Sequence, residues 1–454
     1  MEETPTPEEM AEAKADMPLT AMFDRYVWVE SLALVADTKT GMLLNREKFN
    51  VRNRHIGPPT ETKACAYAVL TSNVPRLQVA QAVTYRPGGE RFVTENLPGL
   101  TGLCVNMWKP TPVSLPSVAR YEDVSKWLEH VAFVLPNEQE RETVLNWLAW
   151  IIQNPGQKPN WAVVMGSSAE GIGKDLTLEP VRAALGAVNV REIDADDLAS
   201  GYSDYLAGTR LLIVEEMQMH ERRAMMNRLK PLIAAPPYTL RVNVKFQPQY
   251  EIPNLIATIF FTNMENALAI GGKDRRYYVT WNDGQPKADA YYTDLVKWFA
   301  DGGAAHAARW LLDRDVSGFN AKGKAPMTSA KEDMRKAGRS LPDEVLEEGI
   351  EHKEGPFARR LFTLDEATGF AQARIGDRPR LTNSYVSARL KRLGLLRIRR
   401  QSLGIQPPGT TALHLKDSPE HQVFCWTIED TELDNAAVCT AFWADRSDTE
   451  PMFG

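Results

Sequence analysis

The chain has 454 residues, 43% hydrophobic and 25% charged, the balance of a soluble globular protein with about three domains. Lys and Arg total 53 against 59 Asp and Glu, a net charge of −6, which excludes a uniformly basic nucleic-acid coat but not a locally basic face. No run of about 18 apolar residues occurs, the start is acidic (Glu2, Glu3, Glu8, Glu9), and the four cysteines form no CxxC pair. A cytoplasmic chain, in a bacterial host cell, with no membrane partner and no thiolate zinc site, is expected.

Residues 1–18, rich in Glu, Pro and Ala, read as a disordered tail. Residues 19–155 read as a mixed α+β and helical domain, a collar or assembly element. Short apolar runs at 26–34, 66–70 and 78–85 are expected as strands. The amphipathic stretch 122–153 is expected as two helices broken at Pro136, with Trp127, Leu128, Val131, Phe133, Val144, Leu145, Trp147, Leu148 and Ile151 on the core face. Within 156–315, apolar runs at 161–165, 188–193, 210–215, 255–262 and 277–281 alternate with helical patterns. That is the signature of a mostly parallel α/β sheet. Residues 291–312 read as one or two helices broken at Gly302-Gly303, a small lid. Residues 316–355 are polar and read as a linker with a helical piece, and 356–454 as a separate α+β unit.

Ala162-Val163-Val164-Met165 runs into Gly166-Ser167-Ser168-Ala169-Glu170-Gly171-Ile172-Gly173-Lys174-Asp175. A strand, a Gly-containing loop, Gly-Lys and then a helix make a phosphate cradle. The backbone amides of Gly171, Ile172, Gly173, Lys174, Asp175 and Leu176 would face the anion, and Lys174 would reach the β- and γ-phosphates. Ser168 stands where the pattern has Gly, Asp175 where it has Ser or Thr, and Pro180 falls early in the following helix. An accidental surface turn is the alternative. About forty residues on, Leu211-Leu212-Ile213-Val214 ends in Glu215-Glu216, paired carboxylates that are costly to desolvate without a partner such as Mg²⁺. A third apolar run, 257–262, ends in Asn263, and Arg275-Arg276 opens a fourth. An arginine there suits a finger on a transferred phosphoryl group, or a simple surface ion pair.

Taken in order, these motifs resemble the superfamily 3 helicases, a viral and plasmid branch of the AAA+ P-loop ATPases. The likeness is greatest to the helicase part of phage and plasmid primase–helicase proteins, over about residues 120–335. The resemblance implies an AAA+ type P-loop NTPase core using ATP and Mg²⁺. Asp175 and Glu215 would hold the metal, with Thr177 as a fallback ligand. Glu216 would be the catalytic base, Asn263 the sensor, and Arg275 or Arg276 a finger reaching across a subunit boundary in a homo-hexamer. Residues 238–252 alternate like a hairpin, and in the family such a hairpin grips single-stranded DNA; Lys245 matches its basic position, beside Phe246, which could stack on a base. Lys230 matches another basic position. An edge lysine that prevents aggregation is the plainer account of Lys245.

The last unit has Thr382 or Asn383 placed to cap a helix that Gly394 ends, followed by strand-like runs at 395–400, 414–415 and 424–428, the later two as a wing, an order resembling a winged helix. Its expected recognition helix carries Arg389, Lys391 and Arg392. From Arg374 to Arg400 nine basic residues face one acid, Asp377, a local footprint for double-stranded DNA or for a docking protein. The function implied is an ATP-dependent, ring-forming DNA helicase of phage, plasmid or prophage replication, with a separate primase or polymerase as a further partner. Two rivals remain: a nucleotide-gated DNA-binding initiator or regulator with little ATP turnover, and an ATP-driven remodeller of proteins.

Overall fold

A computed structural model describes residues 19–54, 65–72, 76–215, 222–268, 270, 274–337, 341–359, 361–376, 380–397 and 425–427. The expected tail at 1–18 and Glu216 lie outside the described residues. The chain divides between residues 338 and 339 into two units.

In the first unit, helix α1 (Leu19–Arg25) leads into β1 (Tyr26–Val29), β2 (Leu34–Asp37) and β3 (Met42–Leu44). After α2 (Arg46–Arg52) and α3 (Cys65–Ser72), β4 (Gln78–Ala80) completes a sheet of order β3-β2-β1-β4. A second sheet, β5-β7-β6, joins β5 (Ala82–Thr84), β6 (Phe92–Leu97) and β7 (Leu100–Asn106). Three expectations are corrected here. Residues 26–34 turn at Ala33, in a left-handed conformation, and start a hairpin. Residues 66–70 are helical, because Tyr67 and Leu70, three apart, both reach the Phe49 cluster. Residues 78–85 split at Gln81 between the two sheets.

Pro136 separates α4 (Tyr121–Val134) from α5 (Glu138–Gln153), and Asn137 caps α5 by accepting from the Glu140 amide at 3.1 Å. Both helices share one core with the sheet that follows, so the boundary expected at residue 155 falls inside a packed body.

That sheet contains β8 (Ala162–Ser167), β9 (Val190–Ile193) and β10 (Leu211–Val214). Between its third and fourth members lies the hairpin β11 (Thr239–Val242) and β12 (Tyr250–Pro253). β13 (Ala257–Thr262) and β14 (Tyr277–Asn282) complete it. The order is β14-β8-β13-β10-β9 and every pairing is parallel. Side chains alternate between two cores, as the pleat requires. Val163, Met165, Ile213 and Ile259 join Trp127 and Trp147 on one face; Val164, Leu212, Val214 and Phe260 join Leu229 and Met334 on the other.

Helices α6 (Glu179–Leu185), α7 (Ala195–Ala199) and α8 (Arg222–Ile233) connect these strands. The stretch expected as one or two helices forms α9 (Asp289–Trp298) and α10 (Ala304–Asp313), joined by a wide turn where Gly302 takes φ 104°. Residues expected as a linker divide in two. Phe319, Ala321 and Ala325 pack on the first core and α11 (Ser329–Ala337) lies against β14, while 341–355 belong to the second unit. Their polarity is that of one exposed helix face, not of a free strap.

The second unit runs α12 (Leu341–Glu351), β15 (Leu361–Thr363), α13 (Leu364–Ile375), α14 (Asn383–Arg392), β16 (Leu396–Arg397) and β17 (Cys425–Thr427). Its strands form an antiparallel sheet of order β15-β17-β16, and Leu346, Phe357, Phe362, Val386 and Leu390 make its core. Residues 414–415, expected in the wing, lie outside the described residues.

Arg210 ties the first unit together. Fully buried, it donates to the carbonyls of Ile151 and Asn154 at the end of α5, at 2.9 and 3.2 Å, and to that of Leu255 before β13. Burial pushes its guanidinium down to about 10. Arg210→Met should cost about 3 kcal/mol, because three buried carbonyls lose a charged donor. Urea unfolding measures the loss.

Candidate functional site

In an all-parallel sheet the strands' carboxyl ends lie along one edge, and a crevice opens where neighbouring connections diverge. Here β8 runs out into the loop 168–174, between β13 and β14. Gly171 and Gly173 take φ 74° and 83°, left-handed values that side chains avoid. Ile172, fully buried, anchors the loop in the core below. Among the described residues, no acceptor takes the amides of residues 170–174. Of these, Gly171, Gly173 and Lys174 are at least partly exposed, so their amides are available to an anion, while Ile172 is buried.

Lys174 closes the crevice. Its Nζ donates to Ser167 Oγ at 2.6 Å, to the Thr262 carbonyl at 3.2 Å and to Asn263 Oδ1. Burial pushes its ammonium down to about 8, against the carboxylates of Glu170 and Glu215, which act the other way. The sequence-expected Lys174, Asn263 and Glu215 therefore come together from the ends of three strands.

Ser168 needs no glycine. Its backbone is not left-handed. Its amide donates to the Asn282 carbonyl at 3.0 Å, and its hydroxyl donates to Asp283 and accepts from Trp281 Nε1 at 3.1 Å. Trp281 covers Gly166 so closely that a Cβ there would lie 2.1 Å from its ring.

Beyond Lys174 the chain turns first as a 3-10 helix, Asp175–Leu178, and only then as α6, with Pro180 in its first turn. Pro180 lacks the N–H that an α-helix started at Lys174 would need, so it sets where α6 begins. In this turn the Leu176 amide donates to the Gly173 carbonyl at 3.1 Å, so Leu176 is not an open donor. Asp175 pairs with Arg182 at 2.6 Å, and Arg182 also holds Glu179 and Glu192. The Thr177 hydroxyl is buried and donates to the Lys174 carbonyl at 2.6 Å. The two residues expected as metal ligands on this side are therefore engaged within the protein.

Arg275 and Arg276 sit at the amino end of β14. β14 parallels β8, so the length of the strand, roughly 20 Å, separates them from the loop of their own chain. Arg275 is exposed, and Arg276 pairs with Asp274 at 3.5 Å. Their backbone is pinned by Ala325 donating to the Arg275 carbonyl and buried Lys331 donating to that of Asp274, both at 3.0 Å.

The hairpin forms as expected, with Leu240 opposite Ile252 and Val242 opposite Tyr250. At its tip Phe246 takes φ 62° and is 93% exposed, with the Lys245 ammonium 5.1 Å from its ring centre. Lys230 is exposed on α8.

On α14, Thr382 is the N-cap and accepts from the Tyr385 amide at 3.2 Å. Lys391 and Arg392 are exposed, but Arg389 is not free for DNA: it pairs with Asp343 of α12 at 2.6 Å and lies over Tyr385. An i,i+4 spacing places Arg389 above Tyr385 on the face toward α12. Sequence reasoning missed His130, Asn282, Trp281 and Arg182, which brace the loop and its flank. None sits in a motif, and only their positions in the folded chain reveal them.

A model of a family of unknown function (DUF5906) matches residues 165–276. No curated protein matches. Among solved structures, the apo C-terminal region (305–718) of NrS-1 matches at TM-score 0.58 and 16% identity, covering 80% of this chain and 89% of that one. Its A form matches at TM-score 0.58 and 15% identity, over 89% and 96%. The chain shares the fold of that region. A JCV helicase, at TM-score 0.30 and 12% identity over 52% and 67%, shares too little to bear on it. Among the described residues no helix is long and apolar enough to cross a membrane.

Two outcomes are expected. An anion that binds against Lys174 favours the protonated amine, so affinity for a triphosphate should fall as pH rises through about 8. Lys174→Ala should flatten that dependence in a binding titration. Arg389→Ala should destabilise the second unit by about 1–2 kcal/mol, because Asp343 loses its charged partner. Hydrogen exchange in α14 reads it.

Proposed function

We propose that the chain is an ATP-dependent DNA helicase serving replication of a phage, plasmid or prophage. The observation that carries this reading is Lys174, held by oxygens from two strand ends beside the unclaimed loop amides and Glu215. That arrangement suits a triphosphate: amides and ammonium neutralise charge, while Asn263, which contacts the ammonium directly, registers the γ-phosphate. Carboxylate oxygens are the donors Mg²⁺ prefers, and Asp175 and Glu215 are the carboxylates read as its ligands, Asp175 being held by Arg182. Mg²⁺, when bound, offsets charge on the β- and γ-phosphates. Glu216 is assigned from the sequence as the base that orients the attacking water.

The distance of Arg275 and Arg276 from their own loop supports action on a neighbour's nucleotide, and hence a ring, with a homo-hexamer as the expected form. Lys245 and Phe246 at the hairpin tip suit a single strand, one by charge and one by stacking, with Lys230 as a further cation. Lys391 and Arg392 suit the backbone of duplex DNA, on a unit that we read as a winged helix. A separate primase or polymerase remains an expected partner.

A second reading, a nucleotide-gated initiator with little turnover, is favoured by one observation: Asp175 and Thr177 are both engaged internally. ATP hydrolysis with and without single-stranded DNA separates the two, beside Lys174→Ala and Glu216→Gln. DNA-stimulated turnover lost in both variants supports the motor; binding without turnover supports the initiator; no nucleotide binding refutes both. In the motor, Lys245→Ala should keep basal hydrolysis within about twofold and abolish unwinding, because Lys245 is assigned to the DNA strand and not to the nucleotide.

A further inference from the structure

His130 is fully buried on α4, a helix that carries none of the sequence motifs. Its Nε2 lies 2.8 Å from the Gly173 carbonyl, and its Nδ1 lies 3.1 Å from the Tyr291 hydroxyl. A carbonyl only accepts, so Nε2 carries the proton, and in the neutral ring Nδ1 accepts from Tyr291. Burial holds the imidazole below its ordinary range; the Gly173 contact opposes this, and the charge of Lys287 reinforces it. The neutral form is the one this geometry uses.

The Gly173 carbonyl shares a peptide plane with the Lys174 amide, and in a trans plane the two point in opposite directions. The Gly173 carbonyl has two donors, the Leu176 amide of the following turn and His130, and by holding it toward α4 His130 turns the Lys174 N–H away from α4. The fit is close: a Cβ on Gly173 would lie 2.7 Å from His130 Cε1. Tyr291 belongs to α9, which follows β14. The chain leaving β14 also grips the loop's other end, where the Asn282 carbonyl accepts from Ser168. One short stretch, 281–291, thus braces both ends of the loop, the second through His130.

We propose that His130 is a positioning residue that presets the Gly173–Lys174 peptide plane for phosphate, with Tyr291 fixing its tautomer. This rests on the nucleotide reading of the Lys174 loop. The test is equilibrium binding of Mg²⁺ with a non-hydrolysable ATP analogue to the full chain, with melting temperatures taken in parallel.

His130→Leu should weaken binding about tenfold, the loss of one buried hydrogen bond and of loop order. His130→Gln, whose amide nitrogen can donate to the same carbonyl, should restore binding to within about threefold of wild type. Tyr291→Phe, which keeps the ring, should weaken binding about threefold with little change in melting, and it stands in should His130→Leu fail to fold. In steady-state turnover KM should rise while kcat holds. Wild-type affinity in His130→Leu or Tyr291→Phe would overturn the inference alone, as would equal losses of affinity and melting in the Leu and Gln variants. No binding by the wild type would overturn the nucleotide reading, and this inference with it.

Discussion

The parallel direction of five strands is the constraint on which the rest depends. It sends every carboxyl end to one edge, so β8, β10 and β13 deliver the loop, Glu215 and Asn263 to a single place, though about ninety residues separate Lys174 from Asn263. A sheet of this kind must be covered on both faces, which is why its central strands β8, β13 and β10 are buried along their whole length, while the edge strand β9 exposes Arg191 and Glu192. The same need recruits α4 and α5, far upstream, into the core beneath the loop. His130 reaches Gly173 only because that packing brings α4 there.

The buried cations divide by what surrounds them. Arg210 and Lys158 are enclosed, and their donors are spent on backbone carbonyls, Lys158 on those of Leu232 and Ile256. They are structural pins, with no opening toward a ligand. Lys174 is half-buried among neutral oxygens beside unclaimed amides, a setting in which its partly desolvated ammonium favours an anionic partner. Asp175 shows the converse: its carboxylate, next to the Lys174 loop, is balanced by Arg182.

Charge density read along the chain is a poorer guide than charge read in three dimensions. The segment from Arg374 to Arg400 is strongly basic, yet Arg374 pairs with Glu354 and Arg389 with Asp343, so part of that charge stabilises the unit itself. The cations left to solvent on α14, Lys391 and Arg392, define a narrower face.

The sequence alone determined the local elements whose cause is local. The apolar runs of β8, β10 and β13, the break at Pro136, the loop glycines, the hairpin around Phe246 and the Thr382 cap all follow from pattern, backbone freedom and hydrogen-bonding side chains within a few residues. Tertiary structure decided what depends on distant partners. It made 66–70 a helix by burying Tyr67 and Leu70 against Phe49, and it split the supposed linker between two cores. It turned Arg389 inward, engaged Asp175 and Thr177, and set His130, Trp281 and Asn282 around the loop. Those outcomes rest on contacts between residues far apart in the chain, and hydrophobic periodicity carries no record of which surfaces will meet.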